Sequence, residues 1–341
     1  MTMTIQQALS TVLARQDLSS ADMQAVMTSI MQGEVTPAQI AGFIVALRMK
    51  GESVDEIAAA AQVMRNLSSK VEIESADLVD TCGTGGDGSS TFNVSTAAAL
   101  VAASAGVKIA KHGNRSVSSK CGSADVLEAL GVKLDLQPQQ VSACVQQIGI
   151  GFMFAPMHHS CMQHAIGPRK ELGVRTLFNL LGPLTNPAGA RRQVLGVFSD
   201  DWLEPLAQVL QTLASEHVMV VHAQDGLDEF SIAAVSNVCE LHAGRITRYQ
   251  VSPEDVGLTR ASLDLIKVHD VQDSVALIQA LLAGEQGAAA DIVAFNAGAA
   301  IYVAGLANSV AHGVELASQQ LASGAAADKL TQLIAFTQQQ A

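Results

Sequence analysis

The chain has 341 residues, of which 49% are hydrophobic, 4% aromatic and 15% charged, and its 20 basic against 32 acidic side chains leave a net charge of −12. That length exceeds what one core usually fills, so two domains are expected, and a core of Ala, Val, Leu and Ile suits helices packed on a mostly parallel sheet. The acidic balance disfavours a nucleic-acid backbone as partner. The cysteines, Cys82, Cys121, Cys144, Cys161 and Cys239, are odd in number and lack Cys-x-x-Cys spacing. That argues against disulfides and a structural zinc site and for a reducing compartment, the cytoplasm. No basic n-region or long apolar run marks a signal peptide at the N-terminus. The apolar stretch from Ala288 to Ala307 contains Asp291, Asn296, Gly298 and Gly305, so it reads as a buried helix and not a membrane span.

In chain order, the first seventy residues read as short amphipathic helices. Thr36 before Pro37 is an N-cap with proline at the first helical position, and Ser53 with Glu56 forms a capping box. From about Val71, short apolar runs alternate with helical stretches: Leu78-Val79, Val107 to Ala110, Ile150 to Phe154, Gln193 to Phe198 and His217 to Val221. Such alternation implies βαβ units and a parallel sheet. Between Gly167 and Pro187 it lapses into helical turns punctuated by prolines, a piece expected to rejoin the N-terminal helices. Cys239 to Leu241 and Ile246 to Val251 predict an antiparallel hairpin near the sheet edge, and helix returns from Val271.

The stretch from Asp80 to Thr96 joins a strand to a helix through Gly83, Gly85, Gly86 and Gly88, residues able to take positive φ and bring backbone amides close to an anion. A helix starting near Asn93 aims its free N–H groups at the same place. Neither Gly-Lys-Ser/Thr nor Gly-x-Gly-x-x-Gly is present, so a phosphate-bearing sugar fits better than ATP or NAD. The plainer alternative is a glycine-rich surface loop in which Asp87 caps a turn.

Lys111 to Arg115 follows an apolar run and so lies at the carboxyl end of a strand, where open α/β sheets bind ligands. Lys111 offers a point charge, Gly113 close approach, Asn114 a donor and an acceptor, and Ser116, Ser118 and Ser119 hydroxyls before Ser123 opens a helix. Its plain alternative is a solvated basic turn. Asp228 and Glu229, again after a strand, offer oxygen ligands to Mg²⁺, though alone they read as a surface pair. Arg169 carries a fork of donors suited to a carboxylate, or pairs with Glu171. His158 and His159 lack a third ligand at metal spacing and read as structural or polar lining.

With these motifs in this order, the chain closely resembles the anthranilate phosphoribosyltransferases of tryptophan biosynthesis, nearly end to end. The resemblance implies a nucleoside-phosphorylase-like phosphoribosyltransferase fold: a small all-helical domain of residues 1–70, rejoined by about 167–186, and a larger α/β domain of 71–166 and 187–341 with a central, mostly parallel sheet. It implies a homodimer that transfers the 5-phosphoribosyl group from 5-phosphoribosyl 1-diphosphate to anthranilate, with Mg²⁺ as cofactor and no nucleic-acid or membrane partner. Contact with an anthranilate synthase is left open.

By the same resemblance, Gly83, Gly86, Asp87, Thr91, Asn93, Val94, Ser95, Thr96, Lys111, His112, Gly113, Asn114, Arg115, Ser116, Val117, Ser118, Ser119 and Ser123 contact phosphoribosyl diphosphate. Gly83, Asn114 and Arg169 contact anthranilate, and Ser95, Asp228 and Glu229 serve the metal. No dedicated acid or base is implied; His112 is a candidate to take the amine proton or merely to line the pocket. The rivals are a pyrimidine nucleoside phosphorylase, which Asp228-Glu229 and Lys111 to Arg115 do not suit, and a non-catalytic nucleic-acid-binding relative, which the charge of −12 disfavours.

Overall fold

The structure, a computed structural model, describes residues 3–115 and 121–340. Four helices come first, α1 (Ile5–Leu13), α2 (Ser20–Met31), α3 (Pro37–Lys50) and α4 (Val54–Leu67). Each is opened by a hydroxyl that accepts a backbone N–H of the first turn: Thr4, Ser19, Thr36 and Ser53. Glu56 does more than complete the last capping box. It is fully buried and accepts from the N–H of Ser53 at 2.8 Å, the N–H of Leu18 at 2.9 Å and Lys50 Nζ at 2.8 Å, fastening the α1–α2 connection to the α3–α4 corner.

Seven strands form one sheet: β1 (Leu78–Gly83), β2 (Lys108–Gly113), β3 (Ile150–Phe154), β4 (Arg192–Gly196), β5 (His217–Ala223), β6 (Ser236–His242) and β7 (Arg245–Val251). They lie in the order β3-β2-β1-β4-β5-β6-β7, parallel as far as β5, with the β6–β7 hairpin antiparallel at one edge. From β1 the chain winds one way to β3 and then returns to lay β4 on the other side of β1. The crevice between the carboxyl ends of β1 and β4 is therefore the topological switch point, where ligands of such sheets bind.

The edge strand β7 is largely exposed, but β5 is buried on both faces and splits its side chains between two cores. Met219 and Val221 join one with α5 (Val94–Ser104), α6 (Ser123–Ala129) and α7 (Pro138–Ile148), whereas Val218 and Val220 join the helical domain. Next along the chain come α8 (Ala155–His158), α9 (Gln163–Leu172), α10 (Leu177–Leu181) and α11 (Leu203–Thr212), the last covering the helical-domain side of the sheet. Closing the chain are α12 (Val271–Leu282), α13 (Ala288–Val303), α14 (Val310–Ser323) and α15 (Ala325–Gln339). The stretch read as a buried helix is α13, and it touches α14 at Gly298 and Gly313, where a Cβ on either would strike the other helix's backbone.

One expectation shifts. Helix resumes at Ala155, well before Gly167, and Pro168, read as punctuation, lies inside α9. Proline costs a helix one hydrogen bond, and the packing of α9 on α2 and α3 carries it across the gap. Glu56→Ala would leave buried donors without an acceptor. We expect a loss of about 3 kcal/mol of unfolding free energy in urea; a loss below roughly 1 kcal/mol would show the network to be dispensable.

Candidate active site at the carboxyl ends of the strands

β1 ends at Gly83 and β4 at Gly196, and the loop bearing Asp228 descends between them. A Cβ on Gly83 would lie 2.5 Å from Asp228 Oδ2, and one on Gly196 would overlap the Asp228 carbonyl. Gly83 is thus demanded by close approach, not by positive φ as expected; the left-handed positions are Gly85, Gly86 and Gly88, at φ +66°, +76° and +76°. The N–H of Gly85 donates to Asp228 Oδ2 at 2.8 Å.

Asp87 caps its turn by accepting the Ser89 N–H at 3.2 Å, as the plain reading expects, and its carboxyl also lies against Asp228. Thr91 bridges to Lys267, pinning the loop's far end. Asn93 caps α5 by accepting the Thr96 N–H at 3.2 Å, Val94 is buried, and Thr96 Oγ1 is buried without a hydrogen-bond partner among the described residues.

Asp87, Asp228 and Glu229 crowd together. Burial first, then the charge of Asp87, pushes the Asp228 carboxyl up to about 7; burial, then Asp228, pushes Glu229 up to about 8, although Lys111 and the Ser95 backbone N–H pull it down. Lys111 is only 3% exposed, donates to the Thr81 carbonyl and lies 3.2 Å from Ser95 Oγ. Burial lowers its pKa, while Asp80, Cys82 and Glu229 act the other way. The solvated basic turn is therefore excluded for Lys111 and His112, both buried on β2. Crowded carboxylates facing a single ammonium fit a divalent cation, whose charge would relieve the repulsion.

Neighbours on a strand face opposite ways, and His112 turns from Lys111 towards His159, with ring centroids 5.1 Å apart. Burial, then His159 and His158, holds its pKa well below 6.5, so the ring is neutral and its Nε2 lacks a partner among the described residues. Below it the buried Asp80 accepts from the His112 N–H at 3.0 Å and from Asn186 Nδ2 at 2.7 Å. Gly113 leaves room for Ser123 Oγ and the Phe152 ring, and Asn114 is exposed, its carbonyl accepting the Ala124 N–H at 3.3 Å. The Arg115 guanidinium is engaged by Glu128 and Asp125 on α6. Ser116, Val117, Ser118 and Ser119 lie outside the described residues.

Arg169 on α9 sits 5.2 Å from the Phe178 ring centroid and forms no ion pair among the described residues, with Glu171 or any other acid. Burial lowers its pKa. Two residues escaped the sequence reading. Gly196 gave no signal, since it lies inside the apolar run Gln193 to Phe198. Arg175 stacks 4.2 Å from the Phe198 ring centroid and donates to the carbonyl of Gly86, tying the segment between α9 and α10 to the glycine loop; its place in the proline-punctuated stretch was the one available hint.

Comparison with known proteins follows the same division. Residues 6–68 match the "Glycosyl transferase family, helical bundle domain" and residues 75–327 the "Glycosyl transferase family, a/b domain". The chain is 62% identical over 335 residues to the anthranilate phosphoribosyltransferase of Thioalkalivibrio sulfidiphilus, covering 98% of this chain and 99% of that relative. It superposes on the anthranilate phosphoribosyltransferase of Thermus thermophilus with a TM-score of 0.92 at 46% identity, over 97% of this chain and 99% of the other. For the Saccharomyces cerevisiae enzyme in complex with PRPP and Mg the TM-score is 0.90 at 26% identity, with 98% of each chain covered.

Because burial raises the Asp228 and Glu229 carboxyls to about 7 and about 8, stability falls as pH climbs from the ordinary carboxylate range, about 4, up to those values, and then levels off. In metal-free protein, Glu229→Gln should therefore gain about 1–2 kcal/mol of unfolding free energy at pH 8 and little at pH 5, where the wild-type carboxyl is protonated. Equal effects at both values would show that the Glu229 carboxyl is not raised by its burial and its acidic neighbours.

Proposed function

The chain belongs to the anthranilate phosphoribosyltransferase family, and from that premise we propose how its residues divide the work. The enzyme transfers the 5-phosphoribosyl group from 5-phosphoribosyl 1-diphosphate to anthranilate, giving N-(5-phosphoribosyl)anthranilate and diphosphate. Asp228, Glu229 and Ser95 would hold Mg²⁺, and the observation that carries this is the carboxylate cluster at the switch point with Lys111 as its one close ammonium among the described residues. The ion, when bound, supplies positive charge against the departing diphosphate.

The amides of Gly85 to Thr96 and the ammonium of Lys111 cradle the diphosphate and ribose, so that charge leaving the anomeric carbon meets donors already in place. Gly113, Ser123 and the backbone of Asn114 and Arg115 continue the wall, with the Arg115 side chain spent on α6. Arg169 grips the anthranilate carboxylate, its guanidinium being partly buried and free of acidic partners among the described residues. Asn114 and Gly83 complete that end. The aniline nitrogen attacks without prior deprotonation. Its proton then passes to diphosphate or water, because burial lowers the His112 pKa so far that the ring is a weak base, and it turns towards His159.

The helical domain takes in the returning α9 and α10, which share its core. A homodimer is supported by exposed apolar side chains on α1, α3 and α9, which pack on one another: Leu13 at 71%, Met49 at 72% and Ile166 at 54% exposure. A cytoplasmic setting accords with five free cysteines. No helix among the described residues is long and apolar enough to cross a membrane.

Protein, Mg²⁺, anthranilate and phosphoribosyl diphosphate mixed together should deplete anthranilate fluorescence, and no depletion would sink the reading. Arg169→Ala should raise the anthranilate KM by roughly 30-fold or more with little change for the sugar diphosphate. Arg175→Ala, which frees the glycine loop, should do the opposite, by about 10-fold. Equal effects on both substrates would remove either arginine from its assigned end.

A further inference from the structure

At the end of the sheet opposite the diphosphate crevice, a second group of ligand atoms converges. His217 opens β5 and His242 closes β6, and the two are direct cross-strand partners; Glu240, two residues before His242, shares their face. His217 Nε2 lies 2.7 Å from Glu240 Oε1, and one nitrogen of each imidazole and one carboxylate oxygen lie within 4.8 Å of one another. A cavity of about 470 Å³, lined by Glu240, His242, Arg245 and Thr247, opens beside them.

We propose that His217, Glu240 and His242 form a binding site for a divalent transition-metal ion of the zinc class, separate from the magnesium site. Two imidazole nitrogens and one carboxylate oxygen are a donor set of borderline hardness that such ions prefer, and three protein ligands leave positions open for water on the cavity side. Ligand atoms sharing one ion at about 2.0–2.2 Å stand roughly 3.0–3.5 Å apart. The His217–Glu240 contact therefore needs to open by only a few tenths of an ångström.

His242 stacks on His217, with centroids 4.0 Å apart and planes 9° from parallel, and must turn its ring to aim a lone pair at the same point. It is exposed, so that rotation meets little resistance. Glu240 is already aligned. Tyr249 Oη donates to its other oxygen at 2.7 Å, and Tyr302 of α13 hydrogen-bonds it too. Burial pushes the Glu240 carboxyl up, but the hydrogen bonds from His217, Tyr249 and Tyr302 outweigh it and keep it below its ordinary value. Such outer partners orient ligating carboxylates in metal sites. On binding, His217 carries its proton on Nδ1 and offers the Nε2 lone pair to the ion, which takes the place of the hydrogen bond between His217 and Glu240.

An ion there would clip β5 to β6 beside the edge hairpin and stabilise the folded chain in proportion to its binding. The test uses full-length protein stripped with chelator, with excess Mg²⁺ present to occupy the crevice. Zn²⁺ should raise Tm in the wild type, and Co²⁺ should give visible d–d absorption that saturates at one equivalent. His242→Ala, at an exposed position outside the catalytic crevice, should weaken both responses by about 100-fold or more, whereas His269→Ala, an exposed histidine elsewhere, should leave them intact. No response in the wild type, or an equal response in His242→Ala, would overturn the proposal.

Discussion

The approach of Asp228 to the ends of β1 and β4 is the constraint on which the crevice depends. Two strands stop in glycine at the same level, and neither could carry even a methyl group without displacing the Asp228 loop. With that loop seated, Asp228 accepts the Gly85 amide and Glu229 reaches the Ser95 amide. The glycine loop is thereby held from below by an acidic pair and from the side by Arg175. A phosphate cradle made of backbone needs such external anchors, because glycines supply freedom and no packing of their own.

Charge in the crevice is unbalanced by design of the fold. Among the described residues Asp87, Asp228 and Glu229 crowd together, with the buried Lys111 beside Glu229, and burial magnifies their repulsion. In a structural site this would be a defect. In the proposed diphosphate site a cation would relieve that repulsion and leave the sugar diphosphate facing fixed donors, as the reaction's developing charge requires.

The alternation of β2 parts Lys111 from His112. Adjacent in sequence, they occupy opposite faces, one beneath the cradle and the other against His159 where the helical segment returns. Asp80 and Asn186 lock that junction from inside, joining β1, β2 and the end of the returning segment through buried hydrogen bonds. The helical domain and the sheet are thus coupled at the same strand ends that form the site.

All seven strands, the edge hairpin and the capped helices were legible because they rest on local chemistry: apolar runs, hydroxyl caps and the 3.6 or 2.0 period. Asp80 to Thr96, Lys111 and Asp228-Glu229 were legible because their residue types carry chemistry in short runs. The start of the returning helices was misplaced, since Pro168 looks like a break and is tolerated only through packing on α2 and α3. Gly196, Arg175 and the His217, Glu240 and His242 group gave almost no local signal, because their partners lie far along the chain. By itself, then, the sequence determined the elements, the glycine loop and the acidic pair, all products of neighbours in the chain. Tertiary structure alone decided which glycine faces which carboxylate, which side of β2 each residue takes and which histidines meet across strands, because those follow from strand order and register.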